Sequence, residues 1–358
     1  MEWLRSQTFP FRFQRRSLGL VALLGSLLFS DVVRSDPAFY RTRVRDDKFL
    51  EVAARVDFTQ ISPETADAPL ARACPTVPMA WFGQPVPGFG SLYLYAPLDP
   101  PLINDSGRVT VVTQIAGSER NQGIFVSDEG TLIPIVIGCG GAGGSGNPGL
   151  GCGDPSPIGG TFSGLFQGTV FAPPINERGD VLFLFDVDGG TSPRGLFLYR
   201  ASTPTIVKVA AVGDPLPGGG FVGAVSPGSL NNDGVVAFAI RPLGSTEPDI
   251  YLWKAGVLTR YVAVGDPAPG GGVFSMLVTE SVGCPDGTTI PVGPLPSIND
   301  RGQVSFRGIV SGGSVTRGLV LSEGGVHAWA VRVGDPTPAG GTFADFWGPV
   351  LSASGEIA

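Results

Sequence analysis

One loop recurs five times along this chain. GQPVPGFG begins at Gly83, GDPSPIGGTF at Gly153, GDPLPGGGF at Gly213, GDPAPGGGVF at Gly265 and GDPTPAGGTF at Gly334. A second motif recurs between the loops: INDSGRVTV around Asn104, INERGDVLF around Asn176, LNNDGVVAF around Asn231 and INDRGQVSF around Asn299. A fifth copy, LSASGEIA, carries Ser352 in place of the asparagine. A third motif is GIFVS at Gly123, GLFLY at Gly195, DIYLW at Asp249 and GLVLS at Gly318. A fixed period of this kind means that one supersecondary unit is copied in tandem and that neighbouring copies bury each other's apolar faces.

The spacings define the unit. Asp154 to Asp214 spans 60 residues and Asp214 to Asp266 spans 52, whereas Gln84 to Asp154 spans 70 and Asp266 to Asp335 spans 69. Each long interval holds one cysteine-bearing insert, and removing about fifteen residues from each returns it to about 55. Within one unit, GLFLY (195–199), IVKVAAV (206–212), a segment ending near Leu230 and VVAFAI (235–240) alternate apolar and polar residues and are rich in valine and aromatics. That reads as four strands. The expected fold is all-β: tandem four-stranded antiparallel units of about 55 residues, arranged as a β-propeller or a propeller-like array.

The turns carry local physics. In NxxG, the pairs Asn104/Gly107, Asn176/Gly179, Asn231/Gly234 and Asn299/Gly302 suit a type I turn with a glycine bulge, because asparagine bonds to backbone ahead of it and glycine tolerates positive φ. In GDPxPGGG, glycine ends a strand, aspartate caps loop amides, proline fixes the approach, and the trailing glycines let the chain pass close to a neighbour.

Composition narrows the class. Hydrophobic residues are 42% of the chain and charged residues only 15%, while 54 glycines and 33 prolines supply the turns. A net charge of −7 leaves no basic footprint for nucleic acid. At the N-terminus, Arg5, Arg12, Arg15 and Arg16 precede LGLVALLGSLLFS, the basic-then-apolar pattern of a secretory signal. Cleavage after Ser35 makes residues 1–35 a signal peptide, 36–78 a segment leading into the first unit, and 79–358 the β-repeat domain. An uncleaved anchor is the alternative. The expected location is secreted or at the cell surface. Four cysteines suit disulfides in such a compartment. Joining Cys139 to Cys152 ties off GGAGGSGNPGLG, and Cys74 and Cys284 are left as a second pair by elimination.

These NxxGxVAF-like turns, GLFLY strands and GDPxPGGG loops resemble the bacterial exported proteins with tandem NxxGxxAF repeats, over residues of about 79–358. The resemblance implies an envelope location and often a C-terminal sorting anchor, but no activity. The chain departs from the pattern at Gln84, and it ends at GEIA without an anchor, which reads as a partial sequence.

Chemistry is sparse. Gly213–Gly220 lacks the helix and lysine of a phosphate loop. Asp154, Asp214, Asp266 and Asp335 are oxygen donors suited to calcium, the only cofactor to consider, but each loop supplies one carboxylate where calcium takes six to eight oxygens. Loop capping is the simpler role. His327, the only histidine, lies on an alternating strand with no GxSxG elbow anywhere to serve. Asp186 and Asp188 fall on one strand face, as at a solvated edge. Phe197, Tyr199, Tyr251, Trp253 and Trp329 sit at core-facing alternations, and Trp347 breaks the repeat pattern as a contact candidate.

Up-and-down topology puts the GDPxPGGG loops at the same end as the variable connections RPLGSTEPD (241–249) and VSGGSVTR (310–317), with the NxxG turns at the other. Variable loops on a rigid scaffold are where binding resides. The expectation is a non-enzymatic binding or cell-surface module for an extracellular glycan or protein. The alternatives are a propeller enzyme acting on extracellular carbohydrate and a purely structural envelope component. Membrane contact is expected only through the N-terminal signal or a missing C-terminal anchor.

Overall fold

The computed structural model describes residues 78–93, 101–139, 152–164, 172–277, 280–283, 289–293 and 295–358. The proposed signal peptide, Cys74 and Cys284 lie outside them. The described chain is all-β. Four antiparallel sheets follow one another in sequence. The first contains β1 (Pro85–Val86), β2 (Gly90–Tyr93), β3 (Val109–Ala116), β4 (Gln122–Asp128) and β5 (Thr131–Gly138). The second contains β6 (Thr161–Gly164), β7 (Val181–Asp188), β8 (Arg194–Arg200) and β9 (Thr205–Ala211). The third contains β10 (Val222–Leu230), β11 (Val236–Pro242), β12 (Asp249–Lys254) and β13 (Val257–Val262). The fourth is built from β14 (Val273–Met276), β17 (Ser297–Ile298), β18 (Val304–Ser311), β19 (Arg317–Glu323) and β20 (Val326–Arg332). Its first strand is split, β14 and β17 both pairing β18, and the separate hairpin β15 (Glu280–Gly283) and β16 (Thr289–Gly293) comes between them in sequence and lies against β10 of the third sheet.

The sheets correct the phase of the repeat. The four strands read from the sequence, GLFLY to VVAFAI, are β8, β9, β10 and β11, and they belong to two sheets. The GDPxPGGG loop is therefore the crossover from the last strand of one sheet to the first strand of the next. The NxxG turn leads into the second long strand of a sheet: β3, β7, β11 and β18 follow Asn104, Asn176, Asn231 and Asn299. Periodicity fixes the length of a unit but not where it begins, and hydrogen-bond pairing alone sets that boundary.

Consecutive sheets stack face to face. Val112, Ile124 and Val136 of the first pack against Phe162, Phe183, Phe185 and Phe197 of the second. Leu182, Leu196 and Leu198, on the other face of the second, meet Phe238, Ile240, Tyr251 and Trp253 of the third. Ala237, Ile250 and Val262 meet Phe274, Phe306 and Val320 of the fourth. Strand alternation sends successive side chains to opposite faces, so a strand such as Val236–Ile240 must be apolar throughout, and all five of its residues are buried.

The GLF and GIF motifs have a steric cause. A Cβ on Gly195 would lie 2.7 Å from the Phe197 ring, and one on Gly123 would lie 2.9 Å from Phe125. The aromatic folds back over the glycine two residues earlier on its own strand, and any larger residue there would displace it.

Candidate functional site

The scaffold has two ends, fixed by strand direction. Each first strand runs from a glycine loop to an NxxG turn. Each second strand returns to a variable connection, beside the glycine loop. Contacts agree: the Leu243 amide donates to the Phe221 carbonyl (2.8 Å), and the Thr191 amide donates to the Ile158 carbonyl (2.9 Å). A Cβ on Gly272 would lie 2.5 Å from the Ser311 carbonyl oxygen, so glycine is required there by close approach to the 311–316 connection.

At the glycine-loop end each aspartate closes a reciprocal pair with the strand behind it. The Asp214 amide donates to the Ala211 carbonyl (3.0 Å), and the Ala211 amide donates to Asp214 Oδ2 (2.8 Å). Asp266 does the same with Ala263, and Asp335 with Arg332. The amide capped is thus three residues upstream, not within the loop as the motif suggested. Three carboxylates hold a cation on the other oxygen: Arg120 on Asp154, Lys208 on Asp214 and Arg332 on Asp335. The Arg332 side chain and amide hold the Asp335 carboxyl below the usual aspartate range. Among the described residues, no three acidic, histidine or cysteine side chains gather as a metal site would require.

Two irregularities preserve this lock. Gln84 stands where the other copies have aspartate, and its Oε1 accepts from the Trp81 amide (3.3 Å) while its Nε2 donates to the Gly130 carbonyl (2.8 Å). Asp154 reaches Ile137, 17 residues away, because the insert intervenes; the Ile137 amide still donates to Asp154 Oδ2 (2.8 Å). The Cys139–Cys152 disulfide, with Cα atoms 5.8 Å apart, closes that insert at its neck.

At the opposite end the turns are hairpins with a glycine bulge. Gly107, Gly179, Gly234 and Gly302 have φ between +74° and +84°. Each asparagine Oδ1 accepts from the amide four residues on, at 2.9–3.0 Å, from Arg108, Asp180, Val235 and Gln303. The Nδ2 groups do something the turn does not need. Asn104 donates to the Asn176 carbonyl (3.0 Å), Asn176 to Asn231 (3.2 Å), Asn231 to Asn299 (2.9 Å) and Asn299 to Ser352 (3.0 Å). Five turns are strung on one ladder of buried amides. A parallel row lies beside it: the Asp105 amide donates to Glu177, Glu177 to Asn232, and Asn232 to Asp300. Together the turns line a cleft of about 200 Å³.

The ladder was legible in principle and missed. Aspartate would satisfy the turn acceptor but brings no donor, and serine carries acceptor and donor on one short oxygen; asparagine holds the turn with one arm and donates to the next turn with the other. Four asparagines with a serine in the last copy is that signal. Ser352 Oγ closes its own turn on the Glu356 amide (2.9 Å) and has no second arm to pass on.

A match to DUF7453, described as a family of unknown function, runs over residues 72–358. The chain belongs to DUF7453. No curated protein matches it. The DUF7453 region thus takes in all four sheets and both sets of loops.

Asp186 accepts from Arg194 Nε (2.6 Å), an ion pair that spends its carboxylate. Tyr251 and Trp253 are buried between sheets, and Phe197 likewise. Trp329 is partly buried and donates to the Pro269 carbonyl of a glycine loop (2.7 Å). Trp347 is exposed. Asp249, which the sequence did not single out, starts β12 in a buried position. Desolvation, with the Asp266 charge adding to it, lifts its carboxyl above the usual range against the Val264 amide and Arg260. His327 lies between the third and fourth sheets, and burial lowers its imidazole below the ordinary value despite the pull of Asp266.

Proposed function

We propose that this protein is an exported, non-enzymatic binding module whose repeats form a propeller-like array and whose glycine-loop end recognises an extracellular ligand. The observation that carries this reading is the distribution of exposed aromatics. Trp81, Phe82, Tyr93, Phe221 and Trp347 are the large aromatic side chains that stand exposed among the described residues. Trp81, Phe82, Tyr93 and Phe221 lie within three residues of a GDPxPGGG-type loop, and Trp347 lies between the last such loop and the turn at Ser352. The Phe221 carbonyl accepts from the amide of Leu243, a variable-connection residue that is itself 71% exposed. Aromatic rings with one wet face suit a sugar ring or a protein partner, whereas isolated exposed aliphatics are ordinary surface. The stacked sheets and the shared ladder of turns are the arrangement a propeller-like array would use. The basic and apolar N-terminus supports export, and the loop and turn motifs fit kinship with the tandem NxxGxxAF proteins of bacterial envelopes, held at the membrane by the N-terminal signal or a C-terminal anchor.

The full chain would be screened on immobilised glycans and on envelope protein extracts. The screen would be repeated with 241–248 and 311–316 replaced by short Gly/Ser turns and with Phe221→Ser. Loss of the captured ligand in the variants, with the melting temperature kept, is expected. Retention of every interaction would reject the reading. The enzyme alternative has one observation in its favour: Asp249 is a buried carboxyl held protonated more readily than usual, near Asp266. Hydrolysis of a polysaccharide that is lost in Asp249→Asn would favour it over a binding or structural role.

A further inference from the structure

The hairpin between the last two strands of each sheet carries one cross-strand pair beside the sheet interface. In the second sheet it is Tyr199 with Ile206, and in the third Trp253 with Leu258. These aromatic–aliphatic pairs pack into the apolar clusters between sheets. In the fourth sheet the same pair is Ser322 with His327. A small hydroxyl and a titratable ring thus occupy an interface position that is apolar in the two preceding sheets.

The hydroxyl is wholly buried and makes two bonds. Ser322 Oγ lies 2.8 Å from His327 Nδ1 and 2.7 Å from the Tyr261 hydroxyl. Tyr261 belongs to β13 of the third sheet, so the chain of bonds crosses the interface. The imidazole is boxed by Phe274 and Phe306, with ring centroids 5.9 Å away in each case, and by Tyr261 at 6.2 Å. Of the groups facing it, β14 and β18 contribute only phenylalanines, β19 the neutral Ser322 and β13 the neutral Tyr261. Asp266, in the loop after β13, is the charge it feels, and that carboxylate is committed to the Ala263 amide.

One proton arrangement satisfies all three groups while the ring is neutral: Tyr261 donates to Ser322, and Ser322 donates to Nδ1. With a second proton on the ring, Nδ1 becomes a donor. Three hydrogens then share two contacts: either Ser322 turns toward Tyr261 and the tyrosine hydrogen loses its acceptor, or Ser322 accepts from both neighbours and its own hydrogen has none within the triad. A half-buried positive charge would at the same time sit among the Phe274, Phe306 and Tyr261 rings.

We propose that the interface of the third and fourth sheets is a pH-sensitive latch, closed by Tyr261, Ser322 and neutral His327 and loosened when the imidazole is protonated. The sign follows from burial. The folded imidazole gives up its proton more readily than the unfolded one. The contribution to stability is complete above about pH 6.5 and is lost as pH falls through the window below it, down to the folded value.

The sole histidine makes the test selective. Imidazole resonances of the full chain would be followed by NMR from pH 8 to pH 4.5. A midpoint below that of an unfolded peptide is expected; a midpoint at or above it overturns the latch. Amide protection in β13 and β20, corrected for intrinsic exchange, would be compared above and below that midpoint in the wild type and in His327→Leu, which restores the residue found at Leu258. The wild type is expected to lose protection in both strands by up to about tenfold for each pH unit of depression, and the variant to lose none. Equal losses in both proteins would overturn the proposal. Should the variant fail to fold, Tyr261→Phe serves in its place: it keeps the ring, breaks the cross-sheet bond, and should lower β13 and β20 protection already at neutral pH.

Discussion

At the scale of single residues, asparagine and aspartate have separate tasks here although both began as turn formers. Asn231 needs both arms of its amide: Oδ1 holds its own turn and Nδ2 holds the next one. Asn231→Asp keeps the acceptor and deletes the donor, leaving the Asn299 carbonyl with the Gly302 amide alone and a carboxylate oxygen turned toward it. A loss of about 1–3 kcal/mol is expected, read as a lower midpoint in urea. Asn231→Ser should cost a similar amount, because it fills the turn as Ser352 does but likewise cannot reach the next carbonyl. Asp214 works inside one loop, and Asp214→Ala should free the buried Ala211 amide at a cost of about 1–2 kcal/mol. Because its carboxylate oxygens are already engaged by that amide and by Lys208, adding calcium or a chelator should leave the thermal midpoint unmoved. An upward shift with calcium would make these loops metal sites instead. Asp249 behaves in the opposite sense to His327. Its folded carboxyl titrates above the unfolded value, so its protonated form favours the fold and that contribution fades as pH rises through the folded value. Asp249→Asn is therefore expected to raise the midpoint at pH 7, checked by a thermal melt.

At the scale of elements, the Cys139–Cys152 bridge and the glycines explain how one loop tolerates change. The insert enters between Ile137 and Gly153, yet the lock from Asp154 to Ile137 survives because the disulfide draws the neck of the insert closed. Opening the bridge with Cys139→Ser and Cys152→Ser should cost up to about 3 kcal/mol, the entropy of a loop of this length, and should shrink the effect of reductant on the denaturation midpoint. Glycine has three distinct roles that sequence presents alike. Gly195 makes room for Phe197, Gly272 makes room for a neighbouring backbone, and Gly234 supplies a left-handed turn residue with φ +74°. Gly195→Ala should destabilise by about 1–3 kcal/mol through overpacking in the core.

At the scale of the whole repeat domain, stability is a sum of interfaces between neighbouring sheets. Strands β7, β8, β11 and β12 lie in the middle of their sheets, with their paired faces built into the apolar clusters on either side. Of the outer strands, β20 alternates exposed with half-buried residues, and β13 is exposed or half-buried up to the buried Val262 at its end. Hydrogen exchange should therefore be slowest in β7, β8, β11 and β12 and fastest in the outer strands.

The sequence by itself determined the strands, the turns and the unit length, because each rests on local chemistry: alternation for a strand, asparagine and glycine for a bulged hairpin, a glycine-rich loop for a tight reversal. It also placed the core aromatics, whose spacing follows the pleat. Only the tertiary structure decided which strands share a sheet, since hydrogen-bond partners across a crossover leave no trace in a periodic pattern. The repeated asparagine is visible in sequence, but only tertiary structure decided which carbonyl each Nδ2 of Asn104, Asn176 and Asn231 reaches and that Ser322 pairs with Tyr261. These bonds join residues 55 to 72 positions apart, and their energy depends on sheets already stacked to within hydrogen-bond distance.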